Sequence, residues 1–298
     1  MLGIFLSLCV ALLASLGQVA GKLATKKSEI SHIDEYSLSL WIRIFSALLL
    51  VPALFFFPFP DSFSLQDSFL IFWVVLLSTI STTSSLQAVK YGEISVVGPI
   101  GSLALPLLLV TSYIFTGEVP NSAWYIGVGI IFLGLYFLEG NLKNGFFSPF
   151  RAMFQDRGAK AMMLTTIIQS ITAPLDKVWV EAYGIVPWIF LTSIFSIPLM
   201  MGYMYMTKKE ISLKLYTQVN YLKKVGILSI VMGGWLLLQM LALKLTLVIY
   251  VISLKRTSGM ISVLFGWLIF KERDIAKKFF ASALMFLGVL VIIFYGNI

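Results

Sequence analysis

A single cysteine, Cys9, and a single histidine, His32, are all the chain of 298 residues has of the two residue types most often used to hold metals. One cysteine excludes an internal disulfide, and within the first apolar run Cys9 reads as a small core residue. A lone histidine between Ser31 and Asp34 has no second ligand nearby, so neither a metal site nor another cofactor is expected. Charge is also scarce. Only 12% of residues are charged, with 14 acidic against 22 basic. The sequence has no G-x-x-x-x-G-K-[ST] phosphate loop, which argues against direct use of ATP. It shows no nucleophile–base–orienter set, so the chain is not read as an enzyme. The formal charge of +8 is spread with no long basic cluster among aromatics, and nucleic acid is not an expected partner.

Apolar side chains are what the chain has in abundance. They make up 59% of the residues, and the mean hydropathy is +0.93. Soluble domains average nearer 45–50% apolar with about 25% charged. Period-2 alternation is missing, which argues against an outer-membrane barrel. Apolar runs occur near 2–23, 37–58, 68–90, 94–116 and 121–140, and again near 161–181, 185–206, 225–244, 247–270 and 276–296. Each matches a hydrocarbon core roughly 30 Å thick. The expected fold is therefore an all-α polytopic membrane protein of ten transmembrane helices, with Met1 to Ala20 retained as the first helix because it lacks the basic start of a signal peptide.

The two sets of five resemble each other. At a shift of 154, Ala88 and Lys90 fall on Ala242 and Lys244, and Glu118 falls on Glu272. At the same shift Phe132, Leu133 and Gly134 fall on Phe286, Leu287 and Gly288, and Lys22 falls near Lys177 at 155. The organisation read from this is a first five-helix repeat over 1–140, a connection over 141–160 and a second repeat over 161–298. The FFSPF segment, Phe146 to Phe150, makes the connection read as interfacial. An odd number of helices per repeat inverts the second copy in the membrane, a transporter architecture with its site near mid-membrane between the halves.

About 17 of the 22 basic residues fall in or beside the connections after the odd-numbered spans, among them Lys26, Lys27, Arg157, Lys208 and Lys278. Taken alone, the positive-inside rule makes those connections cytoplasmic and puts both termini outside.

Within the ninth span, Ile249 to Glu272, Lys255 and Arg256 stand side by side. On insertion scales each such charge costs roughly 2.5–3.5 kcal/mol near a helix centre. The pair therefore needs a watery cavity, internal carboxylates, an interface or an anionic ligand. Ammonium and guanidinium together suit phosphate or carboxylate. Ser258, Ser262 and Gly266 follow at spacing four, a small-residue seam for close helix contact. Further candidates to contact a solute are Arg43, which could equally snorkel, Gln87, Gln239, Tyr91, Tyr250 and Trp235. Asp176 and Lys177 read as a local pair at a helix end or as gating groups, and Glu139 as a coupling carboxylate. Pro99 and Pro106 read as points where a helix can flex or kink. Glu118 and Glu272 read as caps of the helices that follow them.

The segment GPIGSLALP, Gly98 to Pro106, closing at Gly117 and Glu118 before a Gly-rich fifth span, recurs as GWLIFKE, Gly266 to Glu272, before SALMFLGVLVIIF. On these motifs the chain resembles the drug/metabolite transporter superfamily, specifically its EamA-type ten-helix members. The Lys255-Arg256 pair is similar in place to a pair that holds phosphate in triose-phosphate translocators, although the flanking residues differ. The resemblance implies solute transport, with both termini in the cytoplasm, opposite to the charge count.

The expectation is a secondary transporter moving a small anionic or zwitterionic metabolite by alternating access in a bacterial cytoplasmic membrane. Its partners are then the solute, the lipid bilayer and a coupling ion such as H+, with a homodimer allowed. The alternatives are an exporter of amino acids or hydrophobic amines, and a lipid-handling membrane protein that turns over no solute.

Overall fold

In a computed structural model, residues 2–25, 35–59, 65–117, 122–139, 154–206 and 219–295 are described. His32, Glu118, Lys208 and the FFSPF segment lie outside them. Ten helical segments fall on the ten apolar runs. In chain order they are α1 (Leu2–Thr25), α2 (Glu35–Leu54), α3 (Leu65–Tyr91), α4 (Ile94–Ile100) continuing through a 3-10 turn (Gly101–Leu103) into α5 (Ala104–Thr116), and α6 (Ser122–Glu139). They continue with α7 (Arg157–Tyr183), α8 (Ile185–Met206), α9 (Val219–Leu245), α10 (Val248–Lys255) leading into α11 (Ser258–Phe270), and α12 (Ile275–Tyr295). Among the described residues no strand occurs.

Among the described residues, seven segments are long and apolar enough to cross a membrane: those in α1, α2, α3, α4–α5, α8, α9 and α10–α11. In α7 the polar residues Gln169, Asp176 and Lys177 lower the hydropathy, and the structure turns Gln169 and Asp176 inward. The exterior is as apolar as the core. Phe5, Leu48, Val110, Ile114, Ile230 and Leu268 are each more than half exposed. Such a surface suits lipid and would aggregate in water. The protein is a multi-pass integral membrane protein.

Packing pairs the helices across the two halves of the chain. α1 lies against α9, α2 against α8, α3 against α7, α4 against α11, and α6 against α12. Small residues allow the closest approaches. A Cβ on Gly134 would come within 2.8 Å of the Ala281 carbonyl oxygen, and one on Gly288 within 2.5 Å of the Gly127 carbonyl oxygen. Those two contacts exchange under the shift of 154, and they run α6 antiparallel to α12.

Both broken helices break at matching places. Pro106 has no N–H to donate to the Ser102 carbonyl, so a regular helix cannot continue and the 3-10 turn takes its place. At the second break no proline is present. There Arg256 N–H bonds both Ile252 and Ser253, and Thr257 N–H bonds Leu254, a local tightening to i→i−3 bonds. The two breaks are brought together where Gly98 meets Ser262 and Gly259 meets Pro99.

Candidate functional site

A cavity of about 110 Å³ lies among α2, α3, α7, α8, α9 and α10, and a second lobe of about 60 Å³ adjoins it. Ser85, Gln169, Met232, Trp235 and Lys255 line both lobes. α3 supplies a hydroxyl stripe, Ser78, Ser81, Thr82 and Ser85, at spacings of three, one and three that keep all four on one helix face. Thr172 and Thr192 extend it across the cavity.

Lys255 ends α10 facing the cavity. Its ammonium donates to Gln239 Oε1 at 2.9 Å and sits 4.4 Å from the centre of the Trp235 ring. Arg256 turns into the smaller lobe, and one of its guanidinium nitrogens would lie 2.8 Å from a Cβ on Gly101. The absence of a side chain at Gly101 is what makes room for it. The two neighbours thus point into different lobes, as their 100° separation on the helix requires.

Arg43 does not snorkel. It is 7% exposed and donates to Thr82 Oγ1 at 2.6 Å and to the Ser78 carbonyl at 3.3 Å. Asp176 lines the same cavity, accepts the Trp188 indole N–H at 3.0 Å, and is attracted across the space by Lys255 and Arg43. The reading of Asp176 and Lys177 as a local pair at a helix end is corrected here. α7 continues to Tyr183, and the 100° between the neighbours sends Asp176 inward while Lys177 reaches the Thr246 carbonyl at 3.4 Å.

Gln239 and Trp235 line the cavity beside Lys255. Gln87 does not: it donates to the Tyr36 hydroxyl at 2.7 Å. Tyr91, at the end of α3, is exposed and stacks beneath Arg157, 4.1 Å from ring centre to guanidinium carbon. Tyr250, half-buried near the start of α10, lines neither lobe. Pro99 and Pro106 flank the first helix break. Glu139 closes α6, and its side chain lies outside what is described. The sequence reading passed over Gln169 and the α3 stripe, although the helical spacing within STISTTSS was a readable signal.

A second charged cluster closes one end of the bundle. Glu272 Oε1 accepts the Ile94 N–H at 2.9 Å and the Lys22 ammonium at 2.9 Å, and Oε2 accepts the Ser95 N–H at 3.0 Å and the Ser95 hydroxyl. Glu272 therefore caps α4 in the other half of the chain, not the helix that follows it. Burial opposes its charge, but the Ser95 and Lys22 hydrogen bonds outweigh this and hold its carboxyl below its ordinary value. Lys22 also donates to the Gly92 carbonyl at 3.0 Å, and Lys278 pairs with Glu93.

A helical bundle with a lipid-compatible exterior and a charged, hydroxyl-lined interior cavity defines a polytopic membrane protein with a polar interior site. Residues 1–139 match the model of the EamA-like transporter family, so over that half the resemblance to drug/metabolite transporters is borne out. A solved structure described only as "Crystal structure of protein" is similar with a TM-score of 0.64 at 14% identity, covering 99% of each chain. The two chains share a fold over their whole length. No curated protein matches.

Proposed function

We propose that the protein is a secondary transporter that moves a small anionic or zwitterionic metabolite by alternating access, with Lys255 and Arg256 contacting the solute. The carrying observation is the charge around the two lobes: Arg43, Lys255 and Arg256 face them against one carboxylate, Asp176. In a low-dielectric interior an excess of cations attracts an anion strongly. The hydroxyl stripe of α3 supplies neutral donors and acceptors for the rest of the solute. Without a nucleotide-binding motif, the drive is a solute or ion gradient, and Asp176 is the group placed to carry a coupling proton.

The architecture proposed is ten transmembrane helices in two inverted repeats, 1–140 and 161–298, joined by 141–160. Two reciprocal contacts support it. The Gly134–Ala281 approach has its counterpart at Gly127–Gly288, and Lys22 on the Gly92 carbonyl has its counterpart in Lys177 on the Thr246 carbonyl. At one end α4 and α11 pack closely under the Glu272 clamp, whereas α5 and α10 meet over fewer residues at the other. This asymmetry fits a carrier closed on one side. The membrane is taken to be a bacterial cytoplasmic membrane.

The test begins with a thermal-shift screen of purified protein across phosphorylated metabolites, amino acids and cationic drugs. The stabilising solute is then followed in proteoliposomes. Lys255→Ala is expected to abolish its uptake while leaving folded yield and monodispersity unchanged. Full uptake by that variant would refute the role of Lys255. Stabilisation by cationic drugs alone would favour the amine exporter, with Asp176 as its anchor.

A further inference from the structure

We infer that, when no solute occupies it, the smaller lobe at Arg256 binds a free monovalent inorganic anion of the chloride class. The inference goes beyond the transport reading and stands whether or not solute crosses the membrane.

Arg256 is 7% exposed, and its Nε and one terminal nitrogen have no hydrogen-bond partner among the described residues. Guanidinium does not lose its proton in proteins, so the charge cannot be relieved by deprotonation. An uncompensated buried charge costs several kcal/mol. No carboxylate lines this lobe, because Asp176 borders only the larger one. Lys255 is already held by Gln239 and Trp235. The groups that do border the lobe are donors. Gln18 has its Oε1 occupied by the Ser262 hydroxyl at 2.7 Å, which leaves its amide N–H groups for a ligand. Ser258 also borders the lobe.

Ser85 and Gln169 complete the polar side of the lobe, and Leu13, Leu86, Val89 and Met162 are its apolar walls. A single monovalent ion balances the charge of the one guanidinium that turns into this lobe, without burying a second negative charge. A volume of about 60 Å³ exceeds the roughly 10–15 Å³ needed to admit one water-sized particle. One chloride fits.

The experiment measures the melting temperature of the purified full-length protein as sodium chloride replaces sodium gluconate at constant ionic strength. A saturable rise is expected with chloride and bromide. Arg256→Gln should remove it, and Lys244→Gln, on the exposed end of α9, should keep it. If Arg256→Gln does not fold, Gly101→Ala serves instead: its new methyl displaces the guanidinium and should raise the half-saturating chloride concentration at least tenfold. Equal melting temperatures in chloride and gluconate, or an unaltered response in the variants, would overturn the site. Stabilisation by sulfate or phosphate without chloride would overturn the monovalent assignment. If Arg256→Gln stops uptake while chloride never affects stability, the arginine serves the solute and this inference fails with transport intact. A chloride response in a protein that moves no solute leaves the anion site standing and removes the transport reading.

Discussion

The Lys255 ammonium is held on two sides, by the Gln239 amide oxygen and the Trp235 ring, at the seam between the two lobes. Arg256 has no such hold, and its Nε and one terminal nitrogen keep spare donors among the described residues. Gln239→Leu should therefore weaken solute affinity by loosening Lys255, with a loss of about tenfold expected for one charged hydrogen bond; equilibrium binding by calorimetry reads it. Asp176 raises a different question, because among the described residues it is the one carboxylate facing Arg43 and Lys255 across the cavity. Asp176→Asn removes that counter-charge and should lower the melting temperature. Arg43→Leu in the same chain should recover part of the loss, giving a coupling of about 0.5–3 kcal/mol in a double-mutant cycle. Strict additivity would show that the two charges do not interact.

At the scale of elements, Glu272 joins the loop after α11 to the N-terminus of α4, and its carboxylate meets two backbone N–H groups, a hydroxyl and an ammonium. A carboxyl held below its ordinary value of 4.5 contributes stability that is complete above that value and is lost as pH falls through its lowered value in the folded protein. The melting temperature of the wild type should fall as pH drops below 4.5, and Glu272→Gln should flatten that dependence while costing about 2 kcal/mol at neutral pH. An unchanged acid profile would show that the clamp contributes nothing. Glu272 also shows how legible the sequence was. Its capping function could be read from a carboxylate beside a helix end, but its partner could not, because α4 lies 178 residues away in the chain and only the fold makes them neighbours. Hydropathy located the helices well for the same reason that the lipid-facing and core-facing sides are equally apolar. Periodicity was correspondingly weak, so inward-facing groups such as Gln169 and Asp176 could not be separated from those at interfaces. Lys255 and Arg256 were found because charge in an apolar run is costly wherever it faces.

Across the whole molecule, charge and resemblance give opposite orientations, and the structure makes the disagreement sharp. Lys22, Lys90, Arg157 and Lys278 gather at the end where Glu272 caps α4, linked through Gly92, Tyr91 and Glu93. The same end holds the starts of α2, α7, α9 and α12 and the close α4–α11 contact, while Leu2 of α1 and Tyr295 of α12 lie at the opposite end. Positive charge is retained on the cytoplasmic side during insertion. The clamped end is then cytoplasmic, and the looser α5–α10 end faces outward. The resemblance to EamA-type transporters implies the reverse, with both termini inside and the clamped end out. Lys277 and Lys244 are exposed at opposite ends, at the start of α12 and the end of α9. In a Cys9→Ser background, Lys277→Cys should be protected from a membrane-impermeant thiol reagent in intact cells and labelled after lysis, whereas Lys244→Cys should be labelled in both. The opposite pattern would make the basic end external, and the Glu272 clamp would then close the outer side of the carrier.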